Sequence, residues 1–283
     1  MTVSGSDVAG ASCSQFQIIS SLRFDPDLPD AIERNAASSY PEPRNSPYYL
    51  LRYHRDRLLN AAIHFKWPAA IEFLQRDLDE FTQTLDPFIP DRTRPWRLRI
   101  VVDSSGSCTV DVHPTTSCPP QSLFIPSSFQ VHTSLSPNFP WRLYVDSQTT
   151  TPSAFTTHKT TSRDHYAAAR ERAGIRSPQD PLEVLLVNPQ GEIMEGSITT
   201  PYFRRRCPGV SHGVNDKEHT DNDKWVTPPL SSGGNAGVTR RYALEHGFCV
   251  EQVVRAEDLV DGEECWLSNG VRGFIPAVVV LKR

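Results

Sequence analysis

The stretch that most constrains the fold is Leu182–Asn188, L-E-V-L-L-V-N, a nearly unbroken apolar run. A strand with one wet face alternates apolar and polar residues, whereas a run of this kind needs cover on both faces. Asn188-Pro189-Gln190-Gly191 then reads as a turn, and Glu192–Glu195 as the start of a return strand. Such a buried strand calls for layers, and the rest of the chain supplies them.

Strand-like runs lie at Phe16–Phe24, Trp96–Asp103, Cys108–His113, Tyr202–Arg206, Lys224–Thr227, Cys249–Val253, Glu264–Ser268 and Ile275–Leu281. Ser104–Ser107 joins two of them as a hairpin. Helical spacing marks Tyr48–Ala62 and Ala69–Leu85, broken at Pro68, and then Ser162–Ala173 and Val238–His246. The fold class expected is α/β (α+β) in two domains. Residues 1–13 are predicted to be disordered, 14–125 to form a small α/β domain, 126–153 to connect, and 154–283 to form a larger α/β domain with a pseudo-barrel sheet. Within the Ser/Thr/Pro-rich connection only Trp141–Val145 is apolar. The polar insert Cys207–Asp223 is predicted to be a mobile loop.

A net charge of -4 gives no reason to expect nucleic acid or an anionic membrane as partner. No apolar run spans a bilayer, the N-terminal residues lack a basic start with an apolar stretch, and Leu281-Lys282-Arg283 is not a peroxisomal address. A cytoplasmic protein is expected. The six cysteines are scattered without C-x-x-C pairs or zinc-finger spacing, and reduced thiols are expected. His54, His158 and His165 are not paired at ligand spacing, so no metal is predicted. The G-x-S-x-G elbow, the dinucleotide fingerprint and the phosphate-binding P-loop are all absent.

What remains is a set of small signals. Lys159 sits in T-T-H-K-T-T-S-R, with no carboxylate nearby to raise its pKa, and burial would lower it. From this stretch alone an exposed lysine before a helix is the plainer reading. Glu195, in E-I-M-E-G-S, is either a solvated hairpin glutamate or a carboxylate facing a ring nitrogen. Gly233-Gly234-Asn235-Ala236-Gly237-Val238-Thr239 enters a helix with free N–H groups and a favourable dipole end, which suits a phosphate, a mononucleotide included. Ser268-Asn269-Gly270 is a second small polar turn that could complete such a cup. Arg57, in H-R-D-R-L, is a surface helix arginine or a bidentate phosphate ligand.

Taken in order, these segments resemble the fold-type IV enzymes that use pyridoxal 5'-phosphate (PLP), the group of branched-chain and D-amino-acid transaminases and aminodeoxychorismate lyases. I-I-S-S-L-R (18–23) resembles the family's F-E-T-L-R element, and His54-x-x-Arg57-Leu58 its H-x-x-R-L. H-K-T-T-S-R (158–163) is similar to the Schiff-base lysine segment, and M-E-G-S-I-T-T (194–200) to E-G-x-x-x-N. T-P-P-L-S-S-G-G-N-A-G-V-T-R (227–240) and L-S-N-G-V-R-G-F-I-P-A-V (267–278) resemble the phosphate loop and the closing element. The likeness runs from Phe16 to Val280. Arg163, four residues after Lys159, matches the H-K-T-L-N-R of the lyases, and the overall wording looks like their fungal branch.

The resemblance implies conversion of 4-amino-4-deoxychorismate to 4-aminobenzoate and pyruvate, a step of folate precursor synthesis, by a homodimer. It makes Lys159 the Schiff-base lysine and general base, and Glu195 the partner of the pyridine nitrogen. It places Arg57, Thr200, Gly237, Val238, Thr239, Ser268 and Asn269 around the cofactor. Ser20 or Ser21 would assist the departing group, and Arg23 would bind a substrate carboxylate. The chain departs from the family at Thr200, where asparagine is usual, at the Ser20-Ser21 pair, and at Asp103-Ser104-Ser105-Gly106, where the R-G-x-G substrate loop is missing. An aminotransferase of the same fold, a PLP-binding paralogue without catalysis and a non-catalytic interaction protein are the alternatives.

Overall fold

The structure is a computed structural model that describes residues 16–127, 140–206 and 223–281. The expectations for residues 1–13, for the insert at 207–222 and for residues 128–139, together with Cys13 and Cys207, lie outside these.

Strands β1 (Ile18–Phe24), β2 (Trp96–Val102) and β3 (Cys108–Pro114) form an antiparallel sheet in the order β1-β2-β3. Helices α1 (Leu28–Asn35), α2 (Leu51–His64), α3 (Pro68–Leu74) and α4 (Leu78–Leu85) lie between β1 and β2 in the chain. Alternation along β1 sends Ile18, Leu22 and Phe24 into a core with Leu98, Ile100 and Val102 of β2 and Leu51, Leu58 and Ala61 of α2. Ile19, Ser21 and Arg23 take the opposite face. The single helix expected over Ala69–Leu85 is two. Asp77 caps the second by accepting from the Glu80 N–H at 2.7 Å, and the chain turns there.

The larger sheet has eight strands. Its members are β4 (Trp141–Thr149), β5 (Leu182–Val187), β6 (Ile193–Gly196), β7 (Thr200–Arg206), β8 (Asp223–Thr227), β9 (Cys249–Glu251), β10 (Glu264–Asn269) and β11 (Gly273–Val279). Their order is β6-β5-β4-β11-β10-β7-β8-β9. Helices α5 (Ala154–Thr157) and α6 (Asp164–Arg172) follow β4, and α7 (Val238–Glu245) precedes β9.

This order forces curvature. β6 and β7 stand five places apart in the sheet yet are joined only by residues 197–199. On a flat sheet they would be separated by about 24 Å, more than the roughly 14 Å that four extended peptide steps reach. The sheet therefore curls. The run that opened the sequence argument finds its two covers: Leu185 and Val187 point into the curl with Leu143, Phe203, Leu267 and Ile275, while Val184 and Leu186 pack under Tyr166 and Ala169 of α6.

β4 is a correction. The connection expected at 126–153 contains a nine-residue strand that lies inside the sheet, parallel to both β5 and β11. Its polar half hid it. Asp146 is held there by Arg172 through two hydrogen bonds, at 2.8 and 2.6 Å.

Backbone hydrogen bonds join the two sheets. The Ile19 N–H donates to the Lys159 carbonyl and the Thr161 N–H to the Gln17 carbonyl, both at 2.9 Å. The Arg23 N–H reaches the Gly270 carbonyl at 3.0 Å.

Candidate active site

α5 is a single turn closed by a capping box in which Ser153 and Thr156 exchange side-chain and backbone bonds. The chain leaves it extended at His158, so Lys159 follows in a segment already pinned to β1. Its side chain lines a cavity of about 440 Å³ that also takes in Arg57, Glu195, Thr200, Asn235, Gly237, Val238, Thr239, Ser268 and Asn269. That volume falls in the range of small-molecule sites. Burial pushes the Lys159 amine well below its ordinary pKa, Arg163 and Arg57 push it further, and Glu195 opposes them.

Glu195 projects from β6. Its carboxylate accepts from the Tyr166 hydroxyl of α6 and from the Asn235 backbone N–H. Burial lifts its pKa to about 7 despite these donors and the charges of Arg163 and Lys159.

The third component is a cup. Gly237 is the N-cap of α7, and a Cβ there would sit 2.7 Å from the Thr200 hydroxyl, so glycine is what lets β7 and the helix start approach. The first amides of α7, at Val238 and Thr239, lack partners within the helix. Beneath them the Ser268 hydroxyl bonds Thr239 Oγ1 at 2.7 Å and meets the Tyr202 hydroxyl at 2.8 Å. Arg57 lines the same cavity from α2. Its Nη2 donates to Ser20 Oγ at 2.6 Å, and Ser20 lies 2.7 Å from His54 Nδ1. Burial and the neighbouring Arg57 and Lys159 hold His54 neutral by pushing its pKa well down. Ser20 Oγ thus links Arg57 to His54, and these two side chains fix Arg57 in place.

Two residues assigned to the substrate stand elsewhere. Ser20 is fully buried on the α2 face of β1, while Ser21, one residue on, lines the cavity. Arg23 is buried, ion-paired to Asp25 at 2.7 Å and bonded to the Thr116 carbonyl at 3.1 Å, and it is not among the residues lining the cavity. Asn269 keeps its place at the wall, but its side-chain oxygen is used to accept the Val271 and Arg272 N–H groups at 3.0 and 2.9 Å. Sequence reasoning missed Tyr166, Asn235, Arg97, His113 and Arg272. Only Tyr166 offered a signal, as the aromatic residue on the inner face of a predicted helix beside the lysine.

These residues fit a phosphorylated pyridine aldehyde. Arg57 Nε and Asn235 Nδ2 are buried without a hydrogen-bond partner, and the donors of the α7 cup converge with them on one cavity. An amine, a carboxylate and an anion cup share that cavity.

Comparison with known proteins adds the lineage. A model of the amino-transferase class IV family matches residues 42–280. An aminodeoxychorismate lyase from Saccharomyces cerevisiae is 30% identical over 222 residues, 72% of this chain and 56% of the relative, so the chain spans little more than half of that protein. Among solved structures, a candidate amino-acid aminotransferase from Mesorhizobium loti superposes with a TM-score of 0.63 at 22% identity, covering 94% of this chain and all of the other. A hypothetical aminotransferase from Mycobacterium tuberculosis in its PLP-bound form gives 0.55 at 16% identity, over 94% and 81% of the two chains. At such identities the structures share the fold. Among the described residues no helix is long and apolar enough to cross a membrane.

Proposed function

The chain belongs to the class IV aminotransferase family, and from that premise we propose that it binds PLP at Lys159 and converts 4-amino-4-deoxychorismate to 4-aminobenzoate and pyruvate. One observation carries the reading: a single cavity holds a lysine with a depressed pKa, a buried carboxylate, and a cup of unpartnered donors. The yeast relative and the spacing of Arg163 from Lys159 favour lyase over transaminase.

When bound, the cofactor supplies an electron sink for the carbon that bears the substrate nitrogen. Lys159, whose burial and cationic neighbours disfavour the ammonium form, takes the proton from that carbon. Glu195 holds a proton at the ring nitrogen, and Tyr166 with the Asn235 N–H keeps the carboxylate aimed. Arg57, the Thr239 hydroxyl and the start of α7 bind the phosphate, supported by Thr200 and Ser268. Ser21, the serine at the wall, offers its hydroxyl to the departing enolpyruvyl group. Two copies per enzyme and a cytoplasmic location belong to the same reading; light scattering measures the first.

Mixing the purified chain with PLP should give a visible absorption band that borohydride removes, leaving a label on the Lys159 peptide. Lys159→Ala should cut turnover by at least roughly 10²-fold. A colourless protein, or a label on another lysine, overturns the reading. New alanine formed from amino donors and pyruvate, without 4-aminobenzoate, would make the enzyme a transaminase instead.

A further inference from the structure

The cavity is more cationic than a phosphate cup requires. Arg97 stands on β2, paired in register with His113 of β3, and Arg272 follows the Asn269 turn between β10 and β11. Arg97, His113 and Arg272 line the same cavity as Lys159 and Glu195, from elements that hold none of the cup residues of α2 and α7. Both arginines are half-buried, and among the described residues neither forms an ion pair with a carboxylate. Arg272 is aimed rather than loose: its Nη2 donates to the Pro178 carbonyl at 2.8 Å, and its guanidinium lies 5.4 Å from the Trp141 ring centre. That uses one of five N–H donors.

Among the described residues the only carboxylate lining the cavity, Glu195, is engaged by Tyr166 and the Asn235 N–H. Partial burial pushes both guanidinium groups down from their ordinary values, and cations add to this, Arg99 on Arg97 and Arg97 on Arg272. Asp111 opposes the shift at Arg97, and Glu183 that at Arg272, without forming an ion pair with either arginine. A pair of like charges held partly out of water, with free donors facing a cavity, is stabilised by an anion from outside.

We propose that Arg97 and Arg272 form a second anion subsite that grips a carboxylate of the substrate, so that the enzyme selects a cyclic amine bearing two carboxylates over amino acids with apolar side chains. The inference rests on the function proposed above. It replaces Arg23 as the carboxylate ligand and gives the cavity two anion positions, one for the cofactor's phosphate and one for the substrate.

Chorismate is a suitable probe, because it has the two carboxylates of the substrate and a hydroxyl in place of the amine. Calorimetric titration of chorismate into the PLP-loaded protein should show binding weakened about 10- to 100-fold in Arg97→Gln and in Arg272→Gln. The borohydride-fixed label on Lys159 should be unchanged in both. Affinity within twofold of the parent in both variants, with the label intact, overturns the subsite and leaves the lyase reading standing. Absence of the label from the unaltered protein overturns both. Where a glutamine variant fails to load, Arg97→Lys and Arg272→Lys decide. Charge kept without the planar fork predicts binding weakened about 3- to 10-fold with the label retained, and unchanged affinity overturns the proposal.

Discussion

Arg163 packs over the Tyr166 ring at 3.7 Å and donates to the Ser197 carbonyl at 2.9 Å, which keeps its charge beside Lys159. After burial it is the largest cause of the lysine's depressed pKa. The sign of its removal follows. A cation that disfavours the ammonium form is lost, so the pKa climbs back toward the ordinary value and less amine is free near pH 7. PLP loading of the parent, whose amine gives up its proton more readily, should depend less on pH between about pH 7.5 and 9 than loading of a variant lacking this charge. Arg163→Gln should load several-fold more slowly at the lower end and recover as pH rises. Rates of borohydride-fixable labelling measured across that range test this, and identical profiles would remove Arg163 from the account. The same scale shows what sequence could carry. Lys159, Glu195 and Arg57 were each ambiguous locally, and only the order of their motifs grouped the three residues that the fold brings to one cavity. Ser20 and Ser21 were indistinguishable because a one-residue shift flips a strand's faces, and nothing in the sequence set which face met α2. Arg23 was placed at the substrate by resemblance, and the fold instead ties it to Asp25, two residues on, away from the cavity lining.

Glu183 interrupts the apolar run of β5, and the element depends on it. It is fully buried and accepts from the Ser197 N–H and hydroxyl at 3.0 and 2.6 Å, the Ile198 N–H at 3.1 Å and the Thr199 hydroxyl at 2.8 Å. Those three residues are the link that curls β6 onto β7, and all three line the cavity. Glu183→Leu would leave several buried donors unpaired, at a cost of about 1–3 kcal/mol each before relaxation. Its Tm should fall by roughly 5–10 °C, and PLP affinity should fall with it. An unchanged Tm would mean that the turn is held by something else. At this scale legibility was uneven. The buried character of β5 and the hairpin of β2 with β3 followed from apolar pattern and turn chemistry. The break between α3 and α4 was written in Asp77 and Glu80, a cap followed three residues later by glutamate, and was passed over for the longer period. β4 was hidden because a parallel strand inside a sheet ordinarily announces itself by continuous apolarity, and here Asp146 is satisfied by Arg172 instead.

The whole molecule closes around its cavity from two sides. Ser21, Arg57 and Arg97 come from the three-stranded sheet and its helices, whereas Lys159, Glu195 and the α7 cup come from the curled sheet and its surroundings. The bonds from Ile19 to Lys159 and from Thr161 to Gln17 make the lysine segment a seam between them. A ligand that touches both walls should therefore stabilise both sheets. At a free PLP concentration of 100 times Kd the gain is about 2.7 kcal/mol, which for a chain of this size corresponds to a Tm higher by roughly 4–5 °C. Pyridoxal without its phosphate should give a smaller rise at equal concentration, because the Arg57 and α7 contacts are not made. Hydrogen exchange read by mass spectrometry locates the effect. Peptides covering β1 at 18–24 and β2 at 96–102 should slow along with those covering 193–200 and 238–245. Protection confined to the curled sheet, with β1 exchanging as before, would mean that Arg57 does not reach the ligand and that the cavity is closed from one side only.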